Sequence, residues 1–175
     1  MNDKAPPGRR TFADAWDEIG YLRDKLLYWL YQRADAGSAR RYGRRLERLL
    51  LPADPAHDAI LGEECWSLIH EANGERRKAI QSRANEVHLI RRLHELSRGA
   101  AYEATALQDY GYADLSDRLD LLAVLYHDDG NLDKAITTLR ESEELCREHG
   151  LKFDGDELLR EYTDEKRASQ QAAAG

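Results

Sequence analysis

Gly130-Asn131-Leu132-Asp133-Lys134-Ala135-Ile136 repeats a phrase met earlier as Gly74-Glu75-Arg76-Arg77-Lys78-Ala79-Ile80. Each copy follows an apolar-periodic segment of about four turns and precedes another of similar length. A glycine that ends one helix, a short turn, and a small residue one turn into the next helix describe a tightly packed αα-hairpin. Two such units suggest a helical-repeat scaffold, whose usual work is to hold other macromolecules. The expected yield is an architecture and a mode of binding, with no residue committed to chemistry.

Working outward from the two phrases, the chain reads as helices throughout. Proline occurs only at 6, 7, 52 and 55, and valine only at Val87 and Val124, so strand signals are absent. The first helix is expected from Thr11, a candidate N-cap, to Arg33, with Phe12, Trp16, Ile19, Leu22, Leu26, Trp29 and Leu30 at helical spacing. Asp35-Ala36-Gly37-Ser38 opens a second helix to about Leu51, and the prolines at 52 and 55 mark a stiff boundary. Further helices are expected over about 57–72, ending at Asn73-Gly74, then 75–97, 114–129, 132–149 and 154–166. Residues 99–113, with Tyr102, Tyr110 and Tyr112, form a longer packed connection. The units are therefore a disordered N-terminus (1–10), an N-terminal helical hairpin (11–51), repeats with a capping helix (56–168) and a flexible tail (169–175).

The 175 residues suffice for one domain with a sizeable core, and 34% charge with a mean hydropathy of −0.74 fits a helical protein of thin, elongated core. No apolar run is long enough to span a membrane. The polar N-terminus lacks the apolar region of a secretory signal, which points to a cytoplasmic protein. Two cysteines, Cys65 and Cys146, imply no disulfide framework and read as buried reduced thiols. Net charge is −7 and unevenly spread: residues 1–100 carry 18 Lys and Arg against 15 Asp and Glu, and residues 101–175 carry 8 against 18. An acidic C-terminal half disfavours nucleic acid there and favours a basic partner or a basic segment of a second copy.

The segment from Asp117 to Gly150 resembles a tetratricopeptide repeat. Leu119, Leu122, Ala123 and Tyr126 match the first helix of that family, and Gly130, Leu132, Ala135, Leu139 and Ser142 match the second. Ala123 and Ala135 stand where the two helices cross, and only a small side chain allows a close crossing. The family's terminal proline is missing. The earlier copy fits less well: Gly74, Ala79, Ile80 and Ser67 agree, but His70 replaces an aromatic, and Arg83 and Glu86 take positions usually apolar and small. The two glycines are 56 residues apart against a family period of about 34. The resemblance implies an all-α fold of antiparallel αα-hairpins, stacked as a short right-handed superhelix with an N-terminal hairpin and a C-terminal capping helix.

It also implies a concave face lined by the first helix of each repeat. Carried over, those positions are Leu61, Glu64, Leu68 and Glu71, then Asp117, Asp120, Val124 and His127. The cationic and amide residues with which family members clamp a terminal carboxylate are absent there. An acidic groove would instead attract Arg or Lys. The expected function is a non-catalytic scaffold binding a basic peptide or helix, with no cofactor. The competing reading of the same acids is a solvated helix face.

One cationic feature stands apart. Arg40, Arg41, Arg44, Arg45 and Arg48 lie at helical spacing with only Glu47 opposing them. They read as a solvated face, as a contact for the acidic C-terminal half within a chain or between copies, or as a site for nucleic acid or another anion. The aromatics Trp16, Tyr28, Trp29 and Tyr31 exceed what one helix face buries and point to self-association, making a homo-oligomer a further alternative. The spacing of His88 and His94, with His70, does not suit a metal site. His127-Asp128-Asp129 and Asp154-Gly155-Asp156-Glu157 read as helix-end and capping features.

Overall fold

The computed structural model describes residues 12–53, 58–97 and 110–174. Among them there are seven α-helices and no strand: α1 (Ala15–Leu27), α2 (Ala36–Leu50), α3 (Ala59–Asn73), α4 (Arg76–Ser97), α5 (Tyr112–Asp128), α6 (Leu132–Glu148) and α7 (Asp156–Ala174). Each helix packs on the next in chain order, and α1 also touches α3. The fold is an all-α stack of hairpins, α1–α2, α3–α4 and α5–α6, with α7 laid on the last.

The two quoted phrases do the same local work. Gly74 and Gly130 take left-handed conformations, with φ of 74° and 77°. After each glycine the next amide reaches back five residues: Glu75 N–H donates to the His70 carbonyl and Asn131 N–H to the Tyr126 carbonyl, both at 2.8 Å. That closes orphan carbonyls at the helix end with a residue that carries no Cβ penalty. The small residues then meet at the crossings. Ser67 donates to the Ala79 carbonyl at 3.1 Å across α3–α4, and Ala123 shares a buried cluster with Ala135 and Leu139 across α5–α6.

Helix starts follow side-chain caps. Asp14 accepts from Asp17 N–H, Asp35 from Gly37 and Ser38 N–H, Asp58 from Leu61 N–H, and Asn131 from Lys134 N–H. The expected cap Thr11 lies outside the described residues, as do 54–57 of the proline link and most of the 99–113 connection. α5 begins two residues before the expected Asp114, whose carboxylate accepts from Gly111 N–H at 3.0 Å.

Two expectations change. The first helix does not run evenly to Arg33: after Leu27 it widens into a π turn over Tyr28–Gln32 and stops at Ala34, whose φ is 48°. The wider turn accompanies a core contact, since Trp29 and Leu30 both pack on the cluster of Ile19, Leu22, Leu26 and Leu46. At the other end, the last helix, expected to end at about residue 166, continues through Ala174. Its Gln and Ala residues are good helix formers, and Lys166 anchors the helix to Asp133 at 2.5 Å.

Candidate functional site

Among the described residues the buried apolar side chains fall into three clusters. One cluster joins α1, α2 and α3, a second joins α4 and α5, and a third joins α5, α6 and α7. A buried ionic cluster ties the three hairpins together. Arg23 of α1 donates through Nη1 to both Glu64 oxygens at 3.2 and 3.0 Å. Arg118 of α5 lies 3.5 Å from Glu64 through Nη2 and donates through Nε to Glu86 at 3.0 Å. Arg83 donates to the other Glu86 oxygen at 2.6 Å and sits 3.6 Å from Glu71, which accepts from the Tyr31 hydroxyl at 2.6 Å. Three guanidinium groups thus face three carboxylates, and Arg83 and Glu86 are fully buried.

Burial opposes the charge on Arg83, yet Glu86, Tyr31, Glu71 and Glu64 outweigh it and hold the guanidinium above its ordinary range. Burial pushes the Glu71 and Glu86 carboxyls up, and the arginines and the Tyr31 hydroxyl pull them back. This explains the misfit of the first copy to the repeat pattern. Arg83 and Glu86 replace apolar and small residues because they pair with each other and with Arg118.

The same cluster corrects the expected acidic groove. Glu64 is buried and neutralised by Arg23 and Arg118, while Leu68 is fully buried beside Cys65 and Ile69. Glu71 is held by Tyr31, and Leu61 packs on the first core cluster. The α3 half of that face is therefore filled by side chains from other hairpins. On α5, Asp117 is exposed, and Asp120, Val124 and His127 are half-buried. The α7 segment covers the last turns: His127 Nε2 contacts Glu165 at 2.9 Å, and its ring stacks on Tyr162 at 4.1 Å. Gly155 approaches so closely that a Cβ there would lie 3.2 Å from Asp120 Oδ1. Asp117 alone, of the eight carboxylate, apolar and histidine positions carried over to the concave face, is exposed.

Burial, and then the carboxylates of Asp117 and Asp154, push Asp120 up to about 6, while the neighbouring Ser142 hydroxyl acts to lower it. A carboxyl whose folded value exceeds its unfolded one binds a proton more readily when folded. Stability therefore falls as pH rises between the unfolded value and about 6, and the penalty is complete above that. For a partly solvated group the cost is about 1–2 kcal/mol. Asp120→Asn is expected to raise stability at neutral pH by that amount and to flatten its pH dependence between pH 4 and 6, read by urea unfolding. A variant no more stable at pH 7, with the slope unchanged, would assign the pH dependence elsewhere.

Two surface features remain open. All five arginines of α2 are exposed. Arg45 pairs with Glu18, Arg40 Nε donates to the Ala36 carbonyl at 3.1 Å, and Arg41 acts on Asp35. Arg44 and Arg48 make no ion pair among the described residues. The second feature is a cleft of about 330 Å³ between α4, α5 and α6. Leu115, Leu119 and Leu145 form its floor, and Glu95, Glu141, Glu144 and Glu148 its rim. Its far wall is a stack in which Tyr112 lies 4.4 Å from His94 and 3.5 Å from His149. The sequence held a signal for this cleft: Glu141, Glu144 and Glu148 repeat at helical spacing.

Among the described residues no three His, Cys, Asp or Glu are grouped so as to hold a metal ion. His70 contacts Glu75 at 2.7 Å, and His94 contacts the Tyr110 carbonyl at 2.7 Å. Cys65 and Cys146 are buried and unbridged. Tyr31 is 47% exposed, but its hydroxyl serves Glu71, while Trp16 and Trp29 pack on the first cluster. No helix among the described residues is long and apolar enough to cross a membrane. No protein-family model, curated protein or solved structure matches the chain.

Proposed function

We propose that the chain is a tetratricopeptide-like, non-catalytic scaffold that docks an acidic protein segment on the arginine face of α2. The observation that carries this reading is the exposure of five arginines on one helix, only one of which, Arg45, has an ion-pair partner among the described residues. The apolar face of the same helix, with Ala39, Gly43, Leu46 and Leu50, is buried and fixes the arginines outward. Guanidinium groups suit carboxylates, which they bind in planar, bidentate fashion. The alternative of a basic peptide on the concave face is weakened, because Arg23, Arg118 and Tyr31 already serve the α3 acids.

Labelled polyglutamate, polylysine and a single-stranded oligonucleotide separate the readings. The expected result is polyglutamate binding that weakens with salt and falls about tenfold or more in Arg41→Glu/Arg44→Glu/Arg48→Glu, with Asp117→Lys silent. Tighter binding of the oligonucleotide with a steep salt slope would make α2 a nucleic-acid face instead. Polylysine binding lost on Asp117→Lys would restore the acidic-groove reading.

A further inference from the structure

We infer that the arginine stripe of α2 docks on the acidic cleft between α4, α5 and α6 of a second copy, giving a head-to-tail assembly. The inference rests on α2 being the docking face and names its partner. Within one chain the two surfaces do not meet, because α2 packs on α1 and α3 whereas α6 packs on α5 and α7. Their charges can therefore pair only between molecules.

The two stripes match in spacing as well as in sign. Arg41, Arg44 and Arg48 recur at steps of three and four, and so do Glu141, Glu144 and Glu148. Each stripe spans about 10 Å of helix, so three guanidinium groups meet three carboxylates when the helices lie side by side in parallel. The reversed direction would need Arg45, which Glu18 already engages. Apolar surface accompanies both stripes. Leu51, next in line after Arg48, is 70% exposed, and the cleft has an apolar floor of Leu115, Leu119 and Leu145.

The cleft has cations of its own. Arg91 holds Glu141, Arg147 holds Glu144, and Arg92 holds Glu95, while Glu148 has no ion-pair partner among the described residues. The three pairs lie between well-exposed side chains, so they are weak and an incoming guanidinium competes with them. The contact is heterologous: each copy offers one stripe and one cleft, and the chain of contacts stays open unless its rotation closes a ring.

Sedimentation velocity on the full chain tests this with two charge reversals, Arg44→Glu/Arg48→Glu and Glu144→Arg/Glu148→Arg, each checked for folding by circular dichroism. The wild type is expected to show a weight-average sedimentation coefficient that rises with concentration at roughly 50 mM salt and falls back at about 500 mM. Each reversal alone lowers the association constant at least tenfold, and an equimolar mixture of the two restores it, because each interface in the mixture is again oppositely charged. A wild type that stays monomeric at low salt, or a mixture that fails to recover, overturns the inference. Polyglutamate binding, measured on the same wild type and Arg44→Glu/Arg48→Glu proteins, keeps the two proposals apart. A monomeric wild type that still binds polyglutamate through α2 sinks the second copy and leaves the docking face standing.

Discussion

Arg83→Met is expected to lower the unfolding free energy by about 3–5 kcal/mol, because it leaves buried carboxylates without their cation. Arg83 is fully buried, donates to Glu86 at 2.6 Å and faces Glu71 at 3.6 Å. Methionine fills much of the same volume, so packing loss is small and charge loss dominates. Glu86 would keep only Arg118, and Glu71 only Tyr31 and Ser67. The paired change Arg83→Met/Glu86→Leu removes both charges and should cost less than the single change, since a buried pair replaced by apolar side chains often leaves stability unaltered. Urea unfolding at pH 7 reads both. A single variant within 1 kcal/mol of the wild type would mean that solvent reaches the cluster and screens it.

That cluster also marks where the sequence stops being legible. The glycine phrases, the small residues at the crossings and the order of the hairpins follow from local spacing, so they can be read from the chain alone. Glu64 and Glu71 also have the spacing of a groove, and nothing local distinguishes an acid that faces solvent from one that faces an arginine. Their partners lie far off: Arg23 is 41 residues before Glu64, Arg118 is 54 after it, and Tyr31 is 40 before Glu71. The mismatched Arg83 and Glu86 were the visible sign, since two opposite charges three apart at apolar positions imply that they neutralise something. The π turn after Leu27 left no such sign, because it answers to the packing of Trp29 and Leu30 on the first core cluster. The arginine face of α2 was readable throughout, since its apolar partner stripe is equally regular.

Tyr162→Ala is expected to cost about 3–4 kcal/mol and to undock α7, the element that covers the α5 half of the once-expected groove. Tyr162 is the buried residue through which α7 enters the third cluster, with Ala123, Ala135, Ile136 and Leu139, and its ring is the surface on which His127 stacks. The remaining anchors of the helix are the exposed contacts His127–Glu165 and Lys166–Asp133 and the partly buried Phe153, Leu158 and Leu159. Exposed ion pairs contribute little, so losing the ring removes the main reason for α7 to stay. Hydrogen exchange should accelerate along Asp156–Ala174 and, to a lesser degree, at the His127 end of α5, while α1–α4 keep their protection. The α2 face is at the other end of the stack, so polyglutamate binding should be unchanged. If the variant gains affinity for polylysine instead, α7 is an occupant of the acidic α5 face that a basic partner can replace. If exchange rises evenly through all seven helices, the hairpins unfold as one unit and α7 has no independence to lose.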